Sequence, residues 1–247
     1  MKKLLCVFLC TIVVFCLSAC IYQGQSDTDT VTDTSKNTST QEQTDLSMLQ
    51  NEYALILDNI VKAYPWNDDD LIIVPENPEL SYMYRRSTAL SEIGFALIDL
   101  DVNGQEELII SDPNKFVYDV YTISNDKIVH LFASGERNYY ILRENRWIEN
   151  AWSSSAASGG HDFYQINDGK LDFVERITLD AYHALDAGLI HDLSEANGDN
   201  CFFRSNSEDE KDYKTVSSAE AIKAIDNYQN ANKELEIEYT FLSDYKK

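Results

Sequence analysis

The 247-residue chain is strongly acidic, with 42 Asp and Glu against 20 Lys and Arg and a formal charge of −22. That balance argues against nucleic-acid binding, which rests on Lys and Arg contacts to phosphate, and against lying flat on anionic lipid. It suits cations or basic partners, and equally a domain kept soluble by its own charge.

Lys2 and Lys3 precede an apolar run from Leu4 to Leu17 that is short for a bilayer span. Small residues follow, the layout of a secretory signal peptide over residues 1–19. The segment Leu17-Ser18-Ala19-Cys20 resembles the lipobox of bacterial lipoproteins of the Gram-positive type. The resemblance implies a diacylglyceryl group on Cys20, which becomes the first mature residue at the outer face of the cell membrane. Two acyl chains suffice for stable attachment. Cys6, Cys10 and Cys16 fall in the leader, so only Cys201 remains and no intrachain disulfide can form in the mature domain. Losing the leader, whose only charges are Lys2 and Lys3, takes the chain to −24.

Residues 20–45 then read as the lipidated cysteine and a disordered linker rich in Ser, Thr, Asp and Gln. A coil of that length reaches roughly 25–30 Å. Residues 46–247 form the expected single extracytoplasmic domain. Ser47 and Gln50 have capping-box spacing ahead of Leu49, Tyr53, Ile56, Ile60 and Tyr64, which recur at helical spacing until Pro65. Asp68 to Asp70 suggest a solvated turn and Leu71 to Val74 a short strand.

From Phe95 to about Ile177 the texture becomes short β-rich runs separated by turn pairs. These are Asn103-Gly104, Asn125-Asp126, Glu144-Asn145 and Asp168-Gly169, near twenty residues apart. Asn-Gly between apolar runs is a strong hairpin signal. The reading is an antiparallel β meander of about eight short strands, arranged as a sheet, an open barrel or propeller-like blades. After it come a strand near Cys201 to Arg204 and a helix capped by Ser217 and Glu220. A final strand is expected from Leu235 to Phe241. The fold class is therefore α+β, a meander flanked by an N-terminal and a C-terminal helix.

The stretch Phe95 to Ile110 carries the clearest chemistry. Counting Asp99 as position 1, side-chain oxygens fall at 1 (Asp99), 3 (Asp101), 5 (Asn103) and 9 (Glu107), with Gly104 at 6. The backbone carbonyl of Gln105 at position 7 can complete an oxygen shell of the kind calcium requires. Position 12 is Ile110 rather than Glu, and the flanks read as strands, so the loop is not an EF-hand. A bare hairpin turn explains Asn103-Gly104 equally well. Against it, Asp99 and Asp101 continue a strand face built from Phe95 and Leu97, where unpaired charge is costly.

This loop resembles the calcium loops of FG-GAP and VCBS-type repeats, where a β-hairpin wraps the ion. The wider segment 94–179 resembles a domain found in lipoproteins of Gram-positive bacteria. Members show a similar acidic loop, then strands ending in a motif like the one from Phe163 to Leu171. Asn103 departs from the more usual Asp, which implies weaker binding. No motif supports zinc at His161, His183 and His191, nor a serine nucleophile between Trp152 and His161. The tyrosines suit strand packing, or a sugar-binding face. The expected function is a non-catalytic envelope lipoprotein with a structural calcium ion, binding a protein or glycan outside the cell. The rival is a cell-envelope hydrolase.

Overall fold

The turn chemistry of the sequence reappears as backbone geometry. Gly104, Asn125, Asn145, Asp168 and Gly169 all adopt left-handed φ, between 50° and 89°, the conformation that hairpin turns impose. They connect strands that pair in chain order. The computed structural model of the protein describes residues 51–65, 84, 89–125 and 127–245. The leader, Cys20, the linker, the Ser47 and Gln50 cap and the 68–74 segment lie outside these residues.

Eight strands fill the predicted meander: β1 (Gly94–Ile98), β2 (Glu107–Ser111), β3 (Val117–Ser124), β4 (Lys127–Ala133), β5 (Asn138–Leu142), β6 (Trp147–Ser155), β7 (Ser158–Asn167) and β8 (Lys170–Asp180). β9 (Phe202–Ser205), β10 (Lys214–Val216) and β11 (Thr240–Phe241) follow. They form two antiparallel sheets, of order β11-β1-β2-β3-β4 and β10-β9-β8-β7-β6-β5. The meander thus breaks between β4 and β5, and each half is extended at its far edge by later strands.

The main core lies between the sheets. Ile109, Val120 and Phe132 from the first meet Leu142, Ile148, Tyr164 and Ile166 from the second. Each such side chain contributes about 1.5–3 kcal/mol by leaving water. Helix α1 (Asn51–Ala63) packs on the first sheet, where the Tyr53 hydroxyl donates to the Glu106 and Tyr121 carbonyls. A short helix α2 (Ala181–Asp186), capped by Asp180, was not visible in the periodicity. Helix α3 (Ser218–Ala231) begins with the predicted Ser217–Glu220 capping box. It covers the second sheet on the face opposite the main core, with Tyr228 stacked on Phe163 at 4.0 Å. Residues Leu49–Lys247 form one compact unit.

The last strand is shorter than its alternation suggested. Leu235, Ile237 and Tyr239 do pack on the core, with Glu234, Glu236 and Glu238 outside. Yet Glu234 makes only an isolated bridge to Arg143, and ladder pairing starts at Thr240. This stretch passes from the edge of one sheet to the edge of the other, so it borrows strand alternation without a continuous partner.

Candidate metal-binding loop

The β1–β2 register ends at the pair Ile98 and Glu107. Residues 99–106 therefore form the loop, and Glu107 stands at its base on β2. Leu100 turns inward to join the core, which draws the loop down over the hairpin end. Val102 sits at the tip, exposed, at φ 59°, an uncommon conformation for a β-branched residue. Asp99 and Asp101 hold that turn. Asp99 accepts from the amides of Asn103 (3.0 Å) and Gly104 (2.9 Å), and Asp101 accepts from the amide of Asn103 (3.2 Å).

Asp99, Asp101 and Glu107 converge, with carboxylate oxygens all within 4.8 Å of one another. Asp101 is 4% exposed and Glu107 fully buried. Glu107 accepts from the Leu100 amide at 2.8 Å and the Thr122 hydroxyl at 2.9 Å. Burial pushes its carboxyl up to about 7 against those two donors, and the charges of Asp101 and Asp99 add to the rise. Among the described residues no Lys or Arg side chain forms an ion pair with any of the three. This largely buried acidic cluster can hold a metal ion.

Asn103, the remaining predicted side-chain ligand, is placed differently. The Asn103 amide nitrogen donates to Asp101 Oδ2 at 2.9 Å, and its oxygen accepts from the Gln105 amide at 2.7 Å. Its oxygen is thus turned to the backbone, away from the carboxylates, and would reach an ion only after the amide rotates. The Gln105 side chain lies by the Tyr53 hydroxyl.

Two contributors escaped sequence reasoning because they come from other strands. Thr122 on β3 orients Glu107. Gly169, in the β7–β8 turn of the second sheet, donates its amide to Asp101 Oδ2 at 2.7 Å. A Cβ at Gly169 would stand 3.4 Å from the Thr122 side chain. The Asp168-Gly169 pair signalled a turn, but nothing local signalled what that turn would touch.

The histidines fall elsewhere. His161 Nδ1 lies 2.6 Å from Glu149, which also meets Arg143 and Gln229. His183 packs against Phe203 and Tyr213, and the His191 amide donates to Glu195. They do not converge on one another. A groove of about 340 Å³ beside α3 is lined in part by Glu175, Arg204, Glu220, Lys223 and Tyr228. Its two acids are committed, Glu175 to Arg204 and Glu220 to Ser217.

No described helix is long and apolar enough to cross a membrane. No protein-family model matches the sequence, and neither curated proteins nor solved structures yield a match.

Proposed function

We propose that the chain is a bacterial lipoprotein, held at the extracytoplasmic face of the cell membrane by lipid on Cys20. Its β domain carries one structural calcium ion and binds a protein or glycan of the envelope without catalysis. The observation that carries the cation is the meeting of Asp99, Asp101 and Glu107 without a positive partner among the described residues. Buried carboxylates are tolerated when paired or bound to metal. Calcium suits an all-oxygen set on a flexible loop better than magnesium, which demands a tighter octahedral shell. After rotation of its amide, Asn103 would supply a fourth side-chain oxygen, and the Gln105 carbonyl a fifth ligand. The anchor rests on Leu17-Ser18-Ala19-Cys20.

Two measurements test this reading. Isothermal calorimetry of metal-stripped protein should show one calcium per chain, with a dissociation constant near the 10⁻⁴–10⁻³ M common for extracellular modules. Absence of calcium heat at several millimolar returns the loop to an ordinary hairpin turn. Cells fed a fatty-acid analogue should label the wild type and leave Cys20→Ala unlabelled. Equal labelling removes the anchor.

A further inference from the structure

We propose that the groove beside α3 binds a short zwitterionic peptide with small side chains, its terminal carboxylate between Arg204 and Lys223 and its terminal ammonium toward Glu220. This goes beyond the reading above and rests on neither the lipid nor the loop cation.

Helical spacing builds one wall of the groove. Glu220, Lys223, Ala224, Asn227 and Tyr228 recur on α3 at intervals that share one helix face. Glu175 on β8 and Arg204 on β9 stand across from it, with Val216 at the end of β10. The apolar lining, Val216 and Ala224, is small. The volume of about 340 Å³ lies at the low end of the roughly 300–1,000 Å³ typical of small-molecule sites. It suits a dipeptide better than a folded partner.

Arg204 is fixed in place yet partly unused. Its Nε donates to Glu175 Oε1 at 2.8 Å, and its Nη2 lies 2.6 Å from the same oxygen. Glu175 is 5% exposed, and the Tyr228 phenol bears on the same carboxylate. The other two paired guanidinium groups of this sheet spend their Nη1 internally, Arg143 on the Asn232 carbonyl and Arg176 on the Tyr213 hydroxyl. Arg204 Nη1 has no such partner among the described residues, and its side chain is 38% exposed. A guanidinium held along its Nε edge keeps a second edge able to take a carboxylate. Lys223, exposed on the facing helix wall, forms no ion pair among the described residues.

The surrounding charge selects the ligand. A chain of formal charge −22 repels a simple anion at long range. A zwitterion carries no net charge and approaches without that penalty. Glu220 supplies the complementary pole. Its carboxylate accepts from the Ser217 amide and hydroxyl, both at 2.9 Å, and these bonds hold its pKa below the usual range, so it stays ionised. The groove therefore presents two cations and one exposed carboxylate to a ligand that carries both signs.

The test titrates the full chain, in a non-ionic detergent, with L,L-dialanine and D,D-dialanine by calorimetry. At least one should bind with a dissociation constant of about 1 mM or below, and more weakly as salt is raised. Dialaninamide lacks the carboxylate and N-acetyldialanine lacks the ammonium; each should bind about tenfold more weakly. Lys223→Gln and Glu220→Gln should weaken binding of the free dipeptide while leaving the melting temperature unchanged. Lys223 is exposed, and Gln at position 220 preserves the capping box. Glu220→Gln should not weaken binding of N-acetyldialanine, which has no ammonium to lose. Failure of both dipeptides to bind, equal binding of either blocked form, or unchanged binding by either variant overturns the site. Inorganic phosphate bound as tightly as dialanine would make the groove a general anion site and overturns it too.

Discussion

The second sheet and the β1–β2 loop bury carboxylates in opposite ways. In the second sheet every deeply buried strand acid has its own guanidinium: Glu149 with Arg143, Asp162 with Arg176, Glu175 with Arg204. In the loop of the first sheet, Asp99, Asp101 and Glu107 receive only amides and a hydroxyl from the described residues. Neutral donors can orient a carboxylate, but they offset only part of its lost hydration. One region compensates its charge with its own guanidinium groups, and the other shows no such compensation among the described residues. That contrast is the physical case for a cation at the loop, and it can be broken from either side.

The largest effect should come from the self-compensated side. Arg176→Met strands Asp162, which is 1% exposed, with only neutral donors. Breaking a buried pair in this way costs about 3–5 kcal/mol. Chemical denaturation should show that loss equally with and without calcium. A loss that calcium repairs would mean that the two regions are not independent.

The loop side should respond to pH instead. Glu107 titrates near 7 in the folded chain and near 4.5 unfolded, so the folded state favours its protonated form. Its contribution is present below the unfolded value and is lost as pH rises through the folded one. Metal-stripped protein should lose on the order of 3 kcal/mol between about pH 5 and pH 8 from this group. A bound cation favours the ionised carboxylate and should flatten that slope. Melting curves at both pH values, with and without calcium, decide it. A slope that calcium leaves unchanged would argue against Glu107 as a ligand.

Calcium itself should stabilise by mass action, about 2.7 kcal/mol at a hundredfold excess over its dissociation constant. Scanning calorimetry should show the melting temperature rising with calcium, less with magnesium, and not at all in Asp101→Ala. An unshifted wild type would leave the cluster without a tenant.

The contrast also marks how far the sequence could be read. Asp99, Asp101 and Glu107 were legible because all three come from one stretch of chain, where spacing and the Asn103-Gly104 turn define the geometry locally. The hairpin turns and the Ser217–Glu220 box were legible for the same reason. The guanidinium pairs were not. Arg143, one residue past β5, meets Glu149 on β6, and Arg204 and Glu175 meet across β9 and β8, so their meeting depends on register. In a chain with 42 acidic residues, no single one announces its partner. The split into two sheets was hidden similarly. The link between β4 and β5 looks like the other hairpin links, yet only the isolated Gly135–Asn138 bridge forms there. The orientation of Asn103 was missed because spacing fixes which residue stands at a position, and its amide can face either way.

That amide gives the smallest and most discriminating prediction. In the loop as it stands, Asn103 Nδ2 donates to Asp101. Asn103→Asp removes this donor and adds a fourth carboxyl group to a cluster that has no positive side-chain partner among the described residues. Without metal the variant should be less stable, by about 1 kcal/mol for the lost hydrogen bond and somewhat more from repulsion. With calcium the same change supplies a charged oxygen to the shell, and affinity rises with the number of charged ligands. The stability gap should therefore close, or reverse, as calcium is added. Gly104 is untouched, so the turn itself is preserved. Paired melting curves of wild type and variant across a calcium titration would show two lines that converge or cross. Parallel lines would mean that Asn103 never turns its oxygen to the ion. The site would then consist of Asp99, Asp101 and Glu107 with backbone and water, and Asn103 would serve only as the residue that holds the turn.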